Sequence, residues 1–177
     1  AVGGKCAGMP LESTPWVRPE HNTASEGGYK TRLFGDALTF NINGFYVSVT
    51  EDQANVVDNA AAIALRSYLA NIPKVTVKGV EADASARIGS HVTLRASGAY
   101  SNGKYANYPS GPCPIELNPT AQCILTGKGL PGLPKWSGST GGEYVAPLPL
   151  GHHGGDGVLR AAVRAQSQNF GDAHDSP

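Results

Sequence analysis

The sequence predicts an all-β fold of antiparallel, up-and-down strands. Three observations predict it. Side chains alternate between apolar and polar with period two over several segments. Short turns and long connections follow those segments in alternation. The composition, 23 glycines and only 16% charged residues in a chain of 177, suits strands and turns. A soluble domain usually carries about a quarter charged residues.

Residues 1–27 have no clear period and carry Pro10, Pro15 and Pro19 among polar residues, so a loop segment is expected there. Residues 28–177 are then the strand domain. Tyr29–Phe34 is the first strand, closed by the tight-turn signal Gly35-Asp36. Ala37–Val49 is the clearest, with Leu38, Phe40, Ile42, Gly44 and Tyr46 on one face and Thr39, Asn41 and Asn43 on the other. Val75–Ile88 sets Val80, Ala82, Ala84, Ala86 and Ile88 against Glu81, Asp83, Ser85 and Arg87. After Gly89-Ser90, His91–Tyr100 sets Val92, Leu94, Ala96, Gly98 and Tyr100 against Thr93, Arg95 and Ser97. Trp136–Ala146 alternates small and aromatic residues, and Val158–Ala165 sets Leu159, Ala161, Val163 and Ala165 against Arg160, Ala162 and Arg164. About six strands result.

The connections sort by length. Short turns follow the first, third and fifth strands (Gly35-Asp36, Gly89-Ser90 and the longer Leu148–Asp156). Long segments, 51–72 and 105–134, follow the second and fourth. Transmembrane barrels are built this way, with short turns on one side and long loops on the other. One stretch conflicts with an all-β picture. Ala61, Leu65, Tyr68 and Leu69 fall at helical spacing between Asp58, a possible N-cap, and Pro73. A short helix or helical turn within a long loop is expected there, with a misread strand end as the alternative.

Alternation alone fits either a soluble sandwich with its apolar face inward or a membrane barrel with that face toward lipid. Aromatic placement favours the barrel. Tyr46, Tyr100 and Trp136 sit on apolar faces near the strand ends that border the long segments, and Tyr144 lies toward the opposite end. That matches two aromatic girdles at the membrane boundaries. The apolar faces are otherwise rich in Ala and Gly, which fill a sandwich core poorly. No apolar run approaches the roughly 18 residues of a transmembrane helix, so a membrane would be crossed by strands.

Cys113 and Cys123 stand in a segment crowded with Pro, Asn, Thr and Gly. Their spacing in a polar loop suits a disulfide formed in an oxidising compartment. A metal site is the rival, but no CxxC and no nearby His supplies further ligands. Cys6 is left over, its partner outside this chain or its thiol free. Lys plus Arg equals Asp plus Glu at 14 each, which gives no support for a nucleic-acid partner.

Catalytic patterns are weak. Ser137-Gly-Ser-Thr-Gly is one residue short of a nucleophile elbow and lies within a strand. His152, His153 and Asp156 could bind a metal, but adjacent histidines point apart in extended chain. No Walker loop occurs among the glycines. The expectation is no enzyme, no cofactor and no metal.

Several segments, in order, resemble the TonB-dependent receptors. Asn71–Asp83 (NIPKVTVKGVEAD) resembles a Lys-Gly-Val-Glu strand of that family. Val92–Tyr105 (VTLRASGAYSNGKY) is similar to its following strand, which ends in Tyr-x-Asp-Ala-x-Tyr. Cys113–Cys123 followed by Leu125–Trp136 (LTGKGLPGLPKW) resembles a Cys-containing extracellular loop and the lead into the next strand. Glu26–Thr31, Leu38–Tyr46 and Asn169–Pro177 also match the pattern, so the likeness spans residues 26–177.

The resemblance implies a partial β-barrel from the C-terminal part of a barrel of about 22 strands, in the bacterial outer membrane. No plug domain, TonB-contacting segment or closing strands are expected in this stretch. The parent protein would import a siderophore, a cobalamin or a glycan, driven by TonB through its plug. Expected partners are outer-membrane lipid, the ligand and, if the chain acts alone, other copies of itself. Lumen-facing candidates for ligand contact are Glu81, Asp83, Arg87, Arg95, Glu143, Arg160 and Arg164, each equally a solvated or mutually paired charge on a polar face. A β-rich binding or self-assembling structural module without transport activity is the alternative.

Overall fold

A computed structural model describes residues 17–58, 66–113, 122–148, 154–169 and 171. Four long strands come first: β1 (His21–Leu33), β2 (Leu38–Asp58), β3 (Arg66–Ile88) and β4 (Val92–Asn107). Two short ones, β5 (Gly111–Pro112) and β6 (Gln122–Cys123), precede β7 (Trp136–Leu148) and β8 (Gly155–Gln166). Six strands form one antiparallel sheet in the order β1-β2-β3-β4-β7-β8, while β5 and β6 pair as a small ribbon. Sheet order follows chain order, so this is an up-and-down wall. Among the described residues no second large sheet covers either face.

Cross-strand register fixes which residues share a face. Leu33, Leu38, Ala86, Leu94, Gly142 and Ala161 form one row, and Tyr29, Ile42, Ala82, Gly98, Gly138 and Ala165 another. The face these rows share carries most of the large exposed apolar side chains, with Leu159 70%, Val163 67% and Trp136 62% exposed. A face that leaves such residues uncovered is built for lipid. The apolar band runs from Tyr144 up to Tyr100 and Trp136, whose rings lie 4.6 Å apart between centroids. Its extent along β7 matches the roughly 9–11 residues that a tilted membrane strand needs.

Beyond the Tyr100–Trp136 row the two faces exchange character. The lipid-side face turns polar, with Ser48, Thr50, Lys74, Thr76, Lys78, Asn102 and Lys104 aligned by the register. The opposite face turns apolar, and the buried cluster lies there. Ile72, Val75, Tyr105, Tyr108 and Leu125 pack together, flanked by Val49, Ala54, Cys123 and Leu130. Burial of a Leu or Val side chain stabilises by about 1.5–3 kcal/mol, so this cluster supplies the water-driven part of the fold.

The chain after Cys123 folds back along the free edge of upper β4. The amide of Tyr105 donates to Lys128 O (3.0 Å), that of Leu130 to Gly103 O (3.1 Å) and that of Ser101 to Lys135 O (3.0 Å). At Gly103 a Cβ would meet Leu133 Cδ2 at 2.6 Å and Leu130 Cδ1 at 2.8 Å, so both leucines pack directly against its backbone. The Cys113 and Cys123 sulfurs lie 2.04 Å apart at the base of this fold-back, beside the β5–β6 pair.

Pro73 sits in mid-sheet, opposite Glu51, and has no N–H to give the ladder. Glu51 takes a φ of 56°, and its carbonyl instead accepts Asn71 Nδ2 at 2.8 Å. Asn71 also accepts the Arg18 amide (2.7 Å) and donates to Arg18 O (3.0 Å). One carboxamide thus repairs the break and fastens the segment leading into β1. Side-chain alternation changes parity across the break, which is why Val49 and Ala54, or Ile72 and Val75, share one cluster.

The structure departs from the sequence expectations in length more than in kind. Residues 51–72 are not a long loop: β2 continues to Asp58 and β3 begins at Arg66, paired from Asp52–Ile72 to Asp58–Arg66. Tyr68 and Leu69 therefore lie in a strand rather than a helical turn, while Ala61 and Leu65 fall outside the described residues. A helix there would forfeit the ladder that β2 offers, and four residues at helical spacing do not outweigh it. The loop segment expected over 1–27 ends sooner, because β1 starts at His21. Its backbone pairs with β2 from His21–Thr50 to Leu33–Leu38, a ladder that forms without apolar alternation over the first residues of β1. β4 likewise runs on to Asn107, into the segment expected as loop from 105.

Candidate functional site

Opposite the lipid-facing rows, the wall below the aromatic row carries polar side chains from every long strand. One row reads Lys30, Asn41, Asp83, Ser97, Ser139 and Arg164 straight across the sheet. Next to it, toward the short turns, lie Arg32, Thr39, Ser85, Arg95, Gly141 and Ala162. A third comprises Arg87, Thr93, Glu143 and Arg160. Strand alternation alone produces this, since residues two apart share a face.

All seven candidates, Glu81, Asp83, Arg87, Arg95, Glu143, Arg160 and Arg164, stand on this polar face. The structure brings some together. Glu143 and Arg160 are register partners and form an ion pair. Asp83 Oδ2 accepts Asn41 Nδ2 at 2.8 Å, and Arg87 Nη2 donates to Asp36 O at 3.2 Å beside a short turn. Arg95, Glu143 and Arg160 rim a shallow depression floored by Gly141 and Ala162, with Thr93 and Ser139 at its margin. Glu81 and Arg164 stand apart from it, and among the described residues their side chains pair with no other group. The Arg95 guanidinium is equally unpaired there.

Sequence reasoning missed the neutral members. Ser97 and Ser139 hydrogen-bond across β4 and β7 at 2.8 Å, and Asn41 holds Asp83. Their signal was present, because each alternates in phase with a charged candidate, but only charge was followed. The Ser137–Gly141 run is plain β7 strand. Among the described residues no three His, Cys, Asp or Glu side chains gather as a metal set; His152 and His153 lie outside those residues.

A second polar group lies outside the membrane band, where the upper hairpin meets the segment before β1. Burial pushes the Asp52 carboxyl above the usual carboxylate range, and the nearby Glu20 carboxylate adds to the rise by repulsion and a side-chain hydrogen bond. Burial likewise raises the Tyr105 phenol, with Asp52 contributing.

An uncovered apolar band, aromatic boundaries and a mixed-charge face behind the band together describe a barrel wall between lipid and a polar passage. A search of the curated proteins finds no match. A family model described as TonB dependent receptor-like, beta-barrel, matches residues 7–177, and the chain belongs to this family of outer-membrane transport receptors.

Proposed function

We propose that this wall serves a receptor importing a siderophore, a cobalamin or a glycan, its polar face lining the passage and its long connections helping to capture ligand. The observation that carries the reading is the sidedness of the sheet. A mixed-sign polar surface backs directly onto a band of exposed apolar residues, an arrangement that costs stability in water and gains it in a bilayer. Arg95, Glu143 and Arg160 offer donors and acceptors around a small-residue floor, which suits a hydroxyl- or carboxylate-bearing ligand in transit. Glu81, Asp83, Arg87 and Arg164 extend that surface along the passage. TonB would act through the plug of the parent receptor. The Cys113–Cys123 bond would form in the oxidising compartment through which such a protein is exported.

Uptake tests the proposal. The full receptor, restored to cells deleted for it, should take up one of three labelled probes (a ferric siderophore, cobalamin or an oligosaccharide) only while TonB is present. Arg95→Ala with Arg160→Ala should lower uptake severalfold at unchanged receptor abundance. Uptake of none of the three, or uptake indifferent to TonB, would sink the transport reading. Recovery of the native protein from buffer as a folded, detergent-free monomer would sink the membrane reading.

A further inference from the structure

Charge is distributed unevenly on the outward face just above the apolar band. The register places His21, Thr23 and Ser25 of β1 there, with Tyr46, Ser48 and Thr50 of β2. It adds Lys74, Thr76 and Lys78 of β3 and Asn102 and Lys104 of β4. Three lysines and a histidine share this patch, and no described carboxylate does, although the whole chain has equal numbers of acids and bases. The polar face behind the band, by contrast, mixes both signs. Lys104 pairs in register with Thr76, so it stands diagonally between Lys78 and Lys74. Diagonal neighbours of this kind have Cα atoms about 7–8 Å apart, which sets three ammonium groups in a zigzag. Among the described residues none of the three makes an ion pair or a side-chain hydrogen bond. Lys78 and Lys104 are exposed and Lys74 is half-buried.

Clustered like charges repel, so an unpaired trio costs stability unless an anion sits among them. Height decides which anion. Lys78 follows Val80 of the top apolar row by one step on its face, and Lys74 stands two further steps out. At about 3.4 Å per residue, and with strands tilted by about 45°, the three span roughly 5–14 Å above the hydrocarbon edge. Headgroups begin in that layer, and lysine stems can snorkel down to reach them. The patch is continuous with the lipid-facing rows and meets them at Tyr46, Tyr100 and Trp136.

We propose that Lys74, Lys78 and Lys104 form a binding site for the phosphate groups of an anionic lipid in the outer leaflet, seated against the barrel's outside. The proposal rests on the membrane-wall reading of this sheet. Each lysine near an anionic surface contributes about a fivefold gain in affinity, so the three together give about a hundredfold, and salt weakens the site.

The test uses the full receptor in phosphatidylcholine nanodiscs, with and without diphosphoryl lipid A. Native mass spectrometry reads retained lipid, and a thermal melt reads stabilisation. Diphosphoryl lipid A should be retained and should raise the Tm, whereas its dephosphorylated form should do neither. Lys74→Gln, Lys78→Gln and Lys104→Gln combined should weaken retention about a hundredfold, the corresponding arginine variants should preserve it, and Arg95→Gln on the polar face should leave it unchanged. Equal retention of the dephosphorylated lipid, an undiminished signal in the glutamine variant, or stabilisation by inorganic phosphate alone would overturn the site. Failure to enter nanodiscs at all would instead overturn the membrane reading beneath it.

Discussion

At the scale of single residues, close approach decides more than side-chain chemistry does. A Cβ at Gly79 would lie 2.1 Å from Tyr100 O and 2.7 Å from the Phe45 ring. Neither the β4 backbone nor a ring seated over the glycine can yield cheaply. Gly79→Ala is expected to destabilise the folded barrel by about 1–3 kcal/mol, seen as a lower temperature for loss of the folded band in heat-modified electrophoresis. Asp52 gives a prediction of the opposite sign. Its folded-state pKa is raised, so its contribution is fully present below the unfolded value and is lost as pH rises through the raised one. Asp52→Asn keeps a hydrogen-bonding group beside Glu20 without the charge. It should stabilise the region at neutral pH and lose that advantage on acidification into the carboxylate range, as followed by protease resistance across pH. An advantage that persists unchanged in acid would rule out this cause.

At the scale of elements, the fold-back between Cys123 and Trp136 is held by the β4 edge, by burial of Leu125 in the upper cluster and by the Cys113–Cys123 link. The link closes a short loop, and chain entropy gives it about 2–3 kcal/mol. Cys113→Ser with Cys123→Ser should expose the segment to protease while leaving the β1–β3 wall intact; identical cleavage patterns would show that the edge hydrogen bonds and the buried Leu125 suffice without the link. The strands themselves were legible in the sequence wherever one face met lipid and the other a polar passage, because alternation records that difference. Leu38–Tyr46 and Val80–Ile88 are the clearest instances. Legibility failed where the surroundings changed. Across Glu51 and Pro73 the parity shifts, so an alternation carried past that point puts Ala54 and Ile72 on the wrong side. The upper hairpin faces water and the returning loop rather than lipid, so its residues looked like loop. Of the candidate site, the charged members were legible from phase alone. Asn71 was not, since its role arises from a missing N–H two residues away.

For the molecule as a whole, the sidedness of the wall makes adjacent positions unequal. Ala84 lies in the middle row of the lipid-facing band and Ser85 next to it on the polar face. Ala84→Arg should cost about 2–4 kcal/mol in a bilayer, whereas a like charge on the passage face is tolerated, so Ser85→Arg should change little. Unfolding titrations in phospholipid vesicles compare the two directly, and equal losses would contradict the assigned faces. The exchange of facial character above the Tyr100–Trp136 row has a further consequence. The sheet answers to two solvents, its lower half ordered by hydrocarbon and its upper half by the expulsion of water around Tyr105, Tyr108 and Leu125. Urea added to vesicles reaches the upper cluster and not the membrane interior. The mouth should therefore open first, reported by proteolysis near Leu125, while Trp136 fluorescence stays that of the folded wall. A receptor built this way can loosen its mouth without loosening its frame.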